Sequence, residues 1–352
     1  MTRLASISTL AAALMFATSA VAQVSTTPPA AQKSEPEKPA AKPKTKPHTV
    51  TKKPPASATE AKPATTAPAA TAPDDPNVDR VYGAYQRGQY KTAFDLATVR
   101  AQAGDPKAMT MLGELYANEL GVRRDDAKAV EWYRRAADAG DREAMFALAM
   151  MRIAGRGAPA DRLEAVKLLA AAAKLGEPKA AYNLALLYLD GQTLPQDLKR
   201  AAELLRLAAD AGNPEAQYAL ATFYKEGTGV EKDLEKAVRL LQAAALADNV
   251  DAEVEYAIAL YNGTGTPKNQ PAAVALLRKA AHQNSPIAQN RLARVLVTGQ
   301  GAPMDKIEGL KWHVIAKTSG KGDLFLDEAL AQLSPEDRAK VEDAARRWLN
   351  VK

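Results

Sequence analysis

The sequence predicts an all-α solenoid built from antiparallel helix pairs. Three observations lead there. A stretch of 36 residues, Asn213 to Asp248 (NPEAQYALATFYKEGTGVEKDLEKAVRLLQAAALAD), occurs in six versions without a gap, starting at Asp105, Asp141, Glu177, Asn213, Asn249 and Ser285. A fixed period of this size marks stacked units that cannot bury their apolar faces alone. Inside each copy the apolar residues follow helical spacing, and a Gly-containing turn divides one helix from the next.

The first helix of each copy begins behind a cap. Asp105-Pro106, Asn213-Pro214 and Ser285-Pro286 pair an N-cap residue with Pro at the first helical position. Repeat position 4 is Ala in all six copies (Ala108, Ala144, Ala180, Ala216, Ala252, Ala288). Position 8 is Leu112, Leu148, Leu184, Leu220, Tyr256 and Leu292, and position 12 is Tyr116, Arg152, Tyr188, Tyr224, Leu260 and Leu296. Spacing by four puts these on one helix face. Position 9 is always small, Gly113 and then Ala149, Ala185, Ala221, Ala257 and Ala293, so a second backbone can approach closely. The helix ends at Gly in five copies: Gly155, Gly191, Gly227, Gly263 and Gly299. Gly takes the left-handed conformation at a helix C-terminus without steric cost.

The second helix starts behind Asp125, Asp161, Asp197, Asp233 or Asp305, and Glu164 and Glu308 stand where a capping box would place them. Position 32 is again Ala in every copy, from Ala136 to Ala316. Helix capping accounts for the recurring Asp residues, one per repeat, so they are not read as metal ligands. The Ala and Tyr stripe is read as the seam between helices, not as a cofactor box.

The pattern A-x-Y-x-L-A-x-x-Y-x-x-G-x-G-V, followed by D, A and a terminal A-A-x-x-G, resembles the Sel1-like repeat. Asn213 to Asp248 and Asp105 to Gly140 match it best, and the resemblance covers about Val81 to Gly320. It implies a tetratricopeptide-like, right-handed superhelix that binds partners on its surface. No cofactor is expected. Two departures predict local irregularity: Thr193-Leu194 replaces Gly-Val in the third copy, and the fifth has Asn269 and Pro271 where Asp and a helical residue are usual.

Taken from the N-terminus, residues 1–22 read as a signal peptide: Arg3, an apolar run from Leu4 to Ala17, and Ala20-Val21-Ala22 as an A-x-A cleavage site. The apolar run is shorter than the roughly 20 residues of a transmembrane helix. No Cys follows it, which excludes a lipoprotein anchor. The expected location is the periplasm. Residues 23–76 are rich in Pro, Ala, Thr and Lys and are expected to be a disordered linker of polyproline character. Residues 1–76 hold nine Lys or Arg and five Asp or Glu, so +4 of the chain's net +6 lies there and +2 remains for residues 77–352. A balanced helical domain argues against a nucleic-acid surface, while the basic tail could make weak, salt-screened contact with anionic cell-wall polymers.

Residues 77–104 read as a degenerate first repeat, with a short helix, a turn at Gly88 and a second helix from Tyr90. Residues 105–320 hold the six repeats. In residues 321–352 one helix is expected from Leu324 to Leu333 and another behind Ser334-Pro335, running to about Trp348. Leu333, Val341, Ala345, Trp348 and Leu349 are expected to cover the last repeat.

The inventory for catalysis is poor. There is no Cys, and His48, His282 and His313 are the only histidines, far apart in sequence. No G-x-S-x-G, Walker A or H-E-x-x-H motif occurs. No enzyme activity is expected. Binding is expected instead on a stripe of the first helices, positions 3, 7, 10 and 14, which the repeat pattern leaves variable. By analogy with tetratricopeptide solenoids these positions face the concave surface. The partner-binding candidates are Met111, Glu114, Met150, Asn183, Leu186, Thr222, Glu255, Ile258, Arg291 and Arg294. The stripe is apolar near Met150 and Leu186, acidic at Glu255 and basic at Arg291 and Arg294, which suits a protein or peptide more than a uniform polymer. Three readings follow. The first is a periplasmic adaptor. The second is a regulator of a membrane sensor kinase, as the resemblance to exported Sel1-like proteins implies. The third is a cell-wall-acting enzyme, which the resemblance ties to cysteine-rich members and this chain therefore disfavours.

Overall fold

The computed structural model describes residues 79–350, so the expected signal peptide and Lys/Pro-rich linker lie outside the described residues. Among the described residues there are sixteen helices and no strand. Helices α1 (Arg80–Gln86) and α2 (Tyr90–Gln102) form a first hairpin, with Gly88 turning at φ +71°. Six regular hairpins follow: α3 (Pro106–Ala117) with α4 (Asp126–Asp138), α5 (Arg142–Ala154) with α6 (Arg162–Lys174), α7 (Pro178–Asp190) with α8 (Leu198–Asp210), α9 (Pro214–Glu226) with α10 (Leu234–Leu246), α11 (Val250–Asn262) with α12 (Gln270–His282), and α13 (Pro286–Thr298) with α14 (Lys306–Thr318). Helices α15 (Leu324–Ala331) and α16 (Pro335–Asn350) come last. Each helix of the hairpin array packs chiefly on its neighbours in sequence, and α16 packs on α14.

Three backbone devices repeat and explain the period. First, the caps form as expected: Asp105, Asp141, Asn213, Asn249 and Ser285 accept hydrogen bonds from backbone N–H groups of the first turn. Second, Gly155, Gly191, Gly227, Gly263 and Gly299 end the first helices in the left-handed region, at φ between +64° and +77°. In the first copy Glu119 occupies that position at φ +58°. Third, the residue that caps each second helix donates its own N–H to the position-12 carbonyl of the first: Asp125 to Tyr116, Asp161 to Arg152, Asp197 to Tyr188, Asp233 to Tyr224, Asn269 to Leu260 and Asp305 to Leu296, all at 2.8–3.1 Å.

That last bond overturns the capping-box expectation. The Asp161 N–H already bonds the Arg152 carbonyl at 2.9 Å and cannot receive the Glu164 side chain. Asp161 still caps the Glu164 N–H at 2.8 Å, but the Glu164 carboxylate is held by Arg134 and Arg152. Likewise the Glu308 carboxylate accepts from Lys311 at 2.6 Å and from the Trp312 indole at 2.8 Å.

Neighbouring hairpins meet at a second set of glycines. A Cβ on Gly157, Gly229 or Gly265 would lie 2.1, 2.3 or 2.5 Å from the carbonyl oxygen of Asp126, Leu198 or Leu234, at the start of the preceding hairpin's second helix. Beside Gly157, Arg156 reaches back to Asp126 at 2.7 Å and to the Ala117 carbonyl at 3.1 Å. The hydrogen bonds of Arg156, with help from Arg124, hold the Asp126 carboxyl at about 2. In the third copy Thr193 stands at this glycine position. It does not adopt a positive φ, and its hydroxyl is buried without a partner. The turn is held instead by side chains, the Gln192 N–H bonding Asp190 at 2.9 Å and the Gln196 amide bonding the Leu189 carbonyl at 2.8 Å. The expected irregularity is therefore present there. It is not present in the fifth copy, where Asn269 caps the Ala272 N–H at 3.1 Å and Pro271 sits in the first turn, which tolerates it.

The core is a chain of linked clusters along the stack, rich in Ala and Leu. The Ala residues of positions 4 and 32 are almost completely buried in every copy. Gly113 is explained by its partner: a Cβ there would lie 2.6 Å from the Tyr133 ring. Position 29, where Tyr133 sits, is Leu169, Leu205, Leu241 and Leu277 in the next four copies and His313 in the last. His313 is fully buried, and its Nε2 lies 2.9 Å from Asp327 of α15. Val341 and Ala345 of α16 are buried and Trp348 meets Trp312 edge-on, with ring centroids 5.0 Å apart. Leu333 is half-buried. Leu349, in the last turn of α16, departs from expectation at 43 % exposure.

Candidate functional site

Positions 7 and 10 are one helical turn apart and therefore share a face. First helices of successive copies approach each other there, as the 3.1 Å pair between Lys225 of α9 and Glu255 of α11 shows. The structure divides the ten candidates into three groups. Leu186 and Thr222 are buried, at 4 % and 8 % exposure, and belong to the packing between hairpins. Met111, Glu114, Met150, Asn183, Glu255 and Ile258 are half-buried. Several of these are already engaged: Glu114 accepts the Tyr85 hydroxyl at 2.6 Å, and Asn183 donates to the Lys179 carbonyl at 2.8 Å. Burial and then Glu114 push the Tyr85 hydroxyl well above its usual pKa. Only Arg291 and Arg294 are exposed.

The stripe opens at this C-terminal end. A cavity of about 380 Å³ lies between α11 and α13, floored by Leu277 of α12 and flanked by Phe325 of α15. Ile258, Tyr261, Val295 and Thr298 line it together with Arg291 and Arg294. Small Ala257 at position 9 also belongs to the lining. Thr298 and Asn262, also in the lining, occupy position 14 of the expected stripe. Phe325 is the residue that sequence reasoning missed. It lies beyond the last repeat, where the 36-residue register carries no information.

The two arginines differ. Arg294 holds Asp323 through Nε and through Nη2, the latter at 2.9 Å, and its guanidinium lies 5.5 Å from the Phe325 ring centroid. Its hydrogen bond keeps the Asp323 carboxyl below the usual carboxylate range, and Asp323 in turn caps α15 by accepting the Phe325 N–H at 3.1 Å. Arg294 is thus a structural clamp as well as a wall of the cavity. Arg291 makes no ion pair or hydrogen bond among the described residues. It also borders a second depression, of about 490 Å³, lined by Lys321 and Asp323.

The two histidines among the described residues, His282 and His313, lie in separate packed surroundings. His313 is 0 % exposed, so its ring has no contact with solvent. Its partner Asp327 also accepts Lys317 at 2.7 Å. Lys317, then His313, holds the Asp327 carboxyl low. His282 packs edge-on against Trp312 and Trp348. No group of three or more His, Asp or Glu residues able to hold a metal ion occurs among the described residues. No helix among them is long and apolar enough to cross a membrane.

The chain resembles known proteins in both sequence and structure. Residues 106–141, 142–177, 178–213, 214–249, 250–285 and 286–320 each match the Sel1 repeat model. The crystal structure of a Sel1 repeat protein from Oxalobacter formigenes is 27 % identical, with a TM-score of 0.62, covering 69 % of this chain and 100 % of that one. The structure of c5321, a protective antigen of uropathogenic Escherichia coli strains with an SLR fold, is 26 % identical with a TM-score of 0.52. That match covers 74 % of this chain and 64 % of that one. No curated protein matches the chain. Six consecutive matched repeats, folded as six capped hairpins in one register, place the chain in the Sel1 repeat family.

Proposed function

We propose that this chain is a non-enzymatic scaffold of the periplasm that holds a protein or peptide partner, with the cavity between α11 and α13 as the seat. Sel1 repeat proteins are generally scaffolds for protein–protein interaction. The observation that carries the assignment of the seat is a cavity of about 380 Å³, more apolar than polar, with an unpaired arginine, Arg291, on its wall. Apolar pockets with a few placed polar groups are where partners gain both affinity and orientation. The periplasmic location rests on the sequence of residues 1–22 alone.

In-cell crosslinking followed by a pull-down from the periplasm tests the reading, comparing wild type with Arg291→Glu. Arg294 is left intact because it holds Asp323. The expected result is one dominant protein recovered by wild type and reduced at least about ten-fold by the substitution, as for loss of a central charged contact. Equal recovery by both forms would move the seat elsewhere on the stack. Absence of any recovered protein would overturn the scaffold itself.

A further inference from the structure

We infer that the occupant of the α11–α13 cavity is an acidic peptide segment, in which a bulky apolar side chain fills the cavity and a neighbouring Asp or Glu pairs with Arg291. The inference rests on the scaffold reading above and deepens it. Three observations on the site support it. The cavity, at about 380 Å³, has room for one or two large side chains, and its lining at Ile258, Leu277, Val295 and Phe325 is apolar. Burial of one such side chain supplies attraction but no orientation.

Arg291 supplies the orientation. Its guanidinium is exposed and has no partner among the described residues, whereas Arg294 beside it is already neutralised by Asp323. An arginine that lines an apolar cavity without a partner favours a carboxylate, which its planar fork can bind through two hydrogen bonds. Beyond Arg291 the second depression brings up Lys321, whose side chain also has no ion pair among the described residues. Arg291, Arg294 and Lys321 against Asp323 leave this corner with two excess positive charges. A peptide running from the cavity across Arg291 therefore meets a second cation next, and a further acidic residue on that side is favoured.

The same charge disfavours one alternative occupant, the chain's own N-terminal stretch. Residues 1–76 carry nine basic and five acidic residues, and the run PEKPAAKPKTKP offers Lys and Pro where the corner calls for acid and a large apolar group. Like charge at this position is repulsive. A nucleic acid is not favoured either, since two cations beside an apolar cavity do not make the extended basic surface that phosphate backbones need.

The test uses the full chain and a displayed library of random peptides. Selected peptides are synthesised with a fluorophore and titrated by anisotropy against wild type, Arg291→Glu and Thr298→Trp. The last variant fills the cavity without changing its charge, and circular dichroism checks that each variant keeps its helices. The expected selection is enriched in Asp or Glu within two residues of Leu, Ile, Phe or Met. Arg291→Glu is expected to weaken the selected peptide by about ten-fold or more, and Thr298→Trp to abolish binding. Exchanging the peptide's acid for its amide is expected to weaken binding to wild type and to make little difference to Arg291→Glu, because the pair is already broken. Selection of neutral or basic peptides, or indifference to Arg291→Glu, would overturn the acidic-peptide inference while leaving the scaffold standing. If no peptide is selected but the crosslinked protein persists, the inference is also overturned and the partner binds another surface. Loss of both signals would sink the inference and the scaffold reading together.

Discussion

Glu119 occupies a backbone conformation that five of the six copies assign to glycine. Its φ of +58° places it in the left-handed region, which costs a residue with a side chain about 1 kcal/mol. Glu119→Gly is therefore expected to stabilise the protein by about 1 kcal/mol, read as a higher urea midpoint with unchanged slope. Glu253 is a second misfit. In the flanking copies Gln217 and Gln289 occupy the same repeat position and donate to the carbonyls of Ala209 and Ala281, at 3.2 and 3.1 Å. A carboxylate has no proton to donate there. Glu253 is fully buried and meets Lys279 at 2.6 Å, but outside hydrogen-bond alignment. Lys279 has a second partner in Asp248, also at 2.6 Å. Glu253→Gln would restore the donor toward the Ala245 carbonyl and remove a buried charge, for an expected gain of about 1 kcal/mol in denaturant unfolding. A lower midpoint would show that the Lys279 contact outweighs the amide bond.

At the scale of the hairpin, two glycines that look alike in sequence do different work. A Cβ added at Gly212, where φ is +86°, would meet nothing within 4 Å, so Gly212→Ala incurs only backbone strain, about 1 kcal/mol. Gly229, at φ +64°, would place its Cβ 2.3 Å from the Leu198 carbonyl oxygen of the neighbouring hairpin. Gly229→Ala must push the hairpins apart as well, and is expected to cost about 3 kcal/mol or more. Thermal unfolding of the two variants side by side measures the difference; equal losses would show that the neighbour yields freely. The hairpins themselves were legible in the sequence because their signals are local. Caps, turn glycines and the four-residue Ala/Leu spacing are set within a dozen residues, and Asp141, Gly155 and Asp161 behave as read. The exposure of the expected binding stripe was legible only in part, because burial at position 10 depends on packing outside the helix that carries it. Leu186 and Thr222 are buried, whereas Ile258 is left beside a cavity whose side is built by Phe325 from outside the repeat. The capping boxes failed for a similar reason: the N–H they needed is used by a bond across the hairpin, which no local motif displays.

Over the whole stack, each hairpin touches chiefly its immediate neighbours, so stability should be graded along it. Deletion of α16 would uncover Trp312, which is fully buried and packs against Trp348. Hydrogen exchange is expected to accelerate strongly in α13 and α14, with α3 to α8 almost unchanged. Uniform acceleration would instead show that the stack unfolds as one unit. The histidine at position 29 gives this end a further property. The surface by which one hairpin receives the next would accept the first hairpin of another molecule, and an array left bare there would grow head to tail into fibres. The last copy carries His313 in the slot where the four before it carry leucine, and bonds it to Asp327. The His313–Asp327 bond ties the last repeat to α15, so the surface that receives the next hairpin elsewhere in the stack is met here by the chain's own following helix.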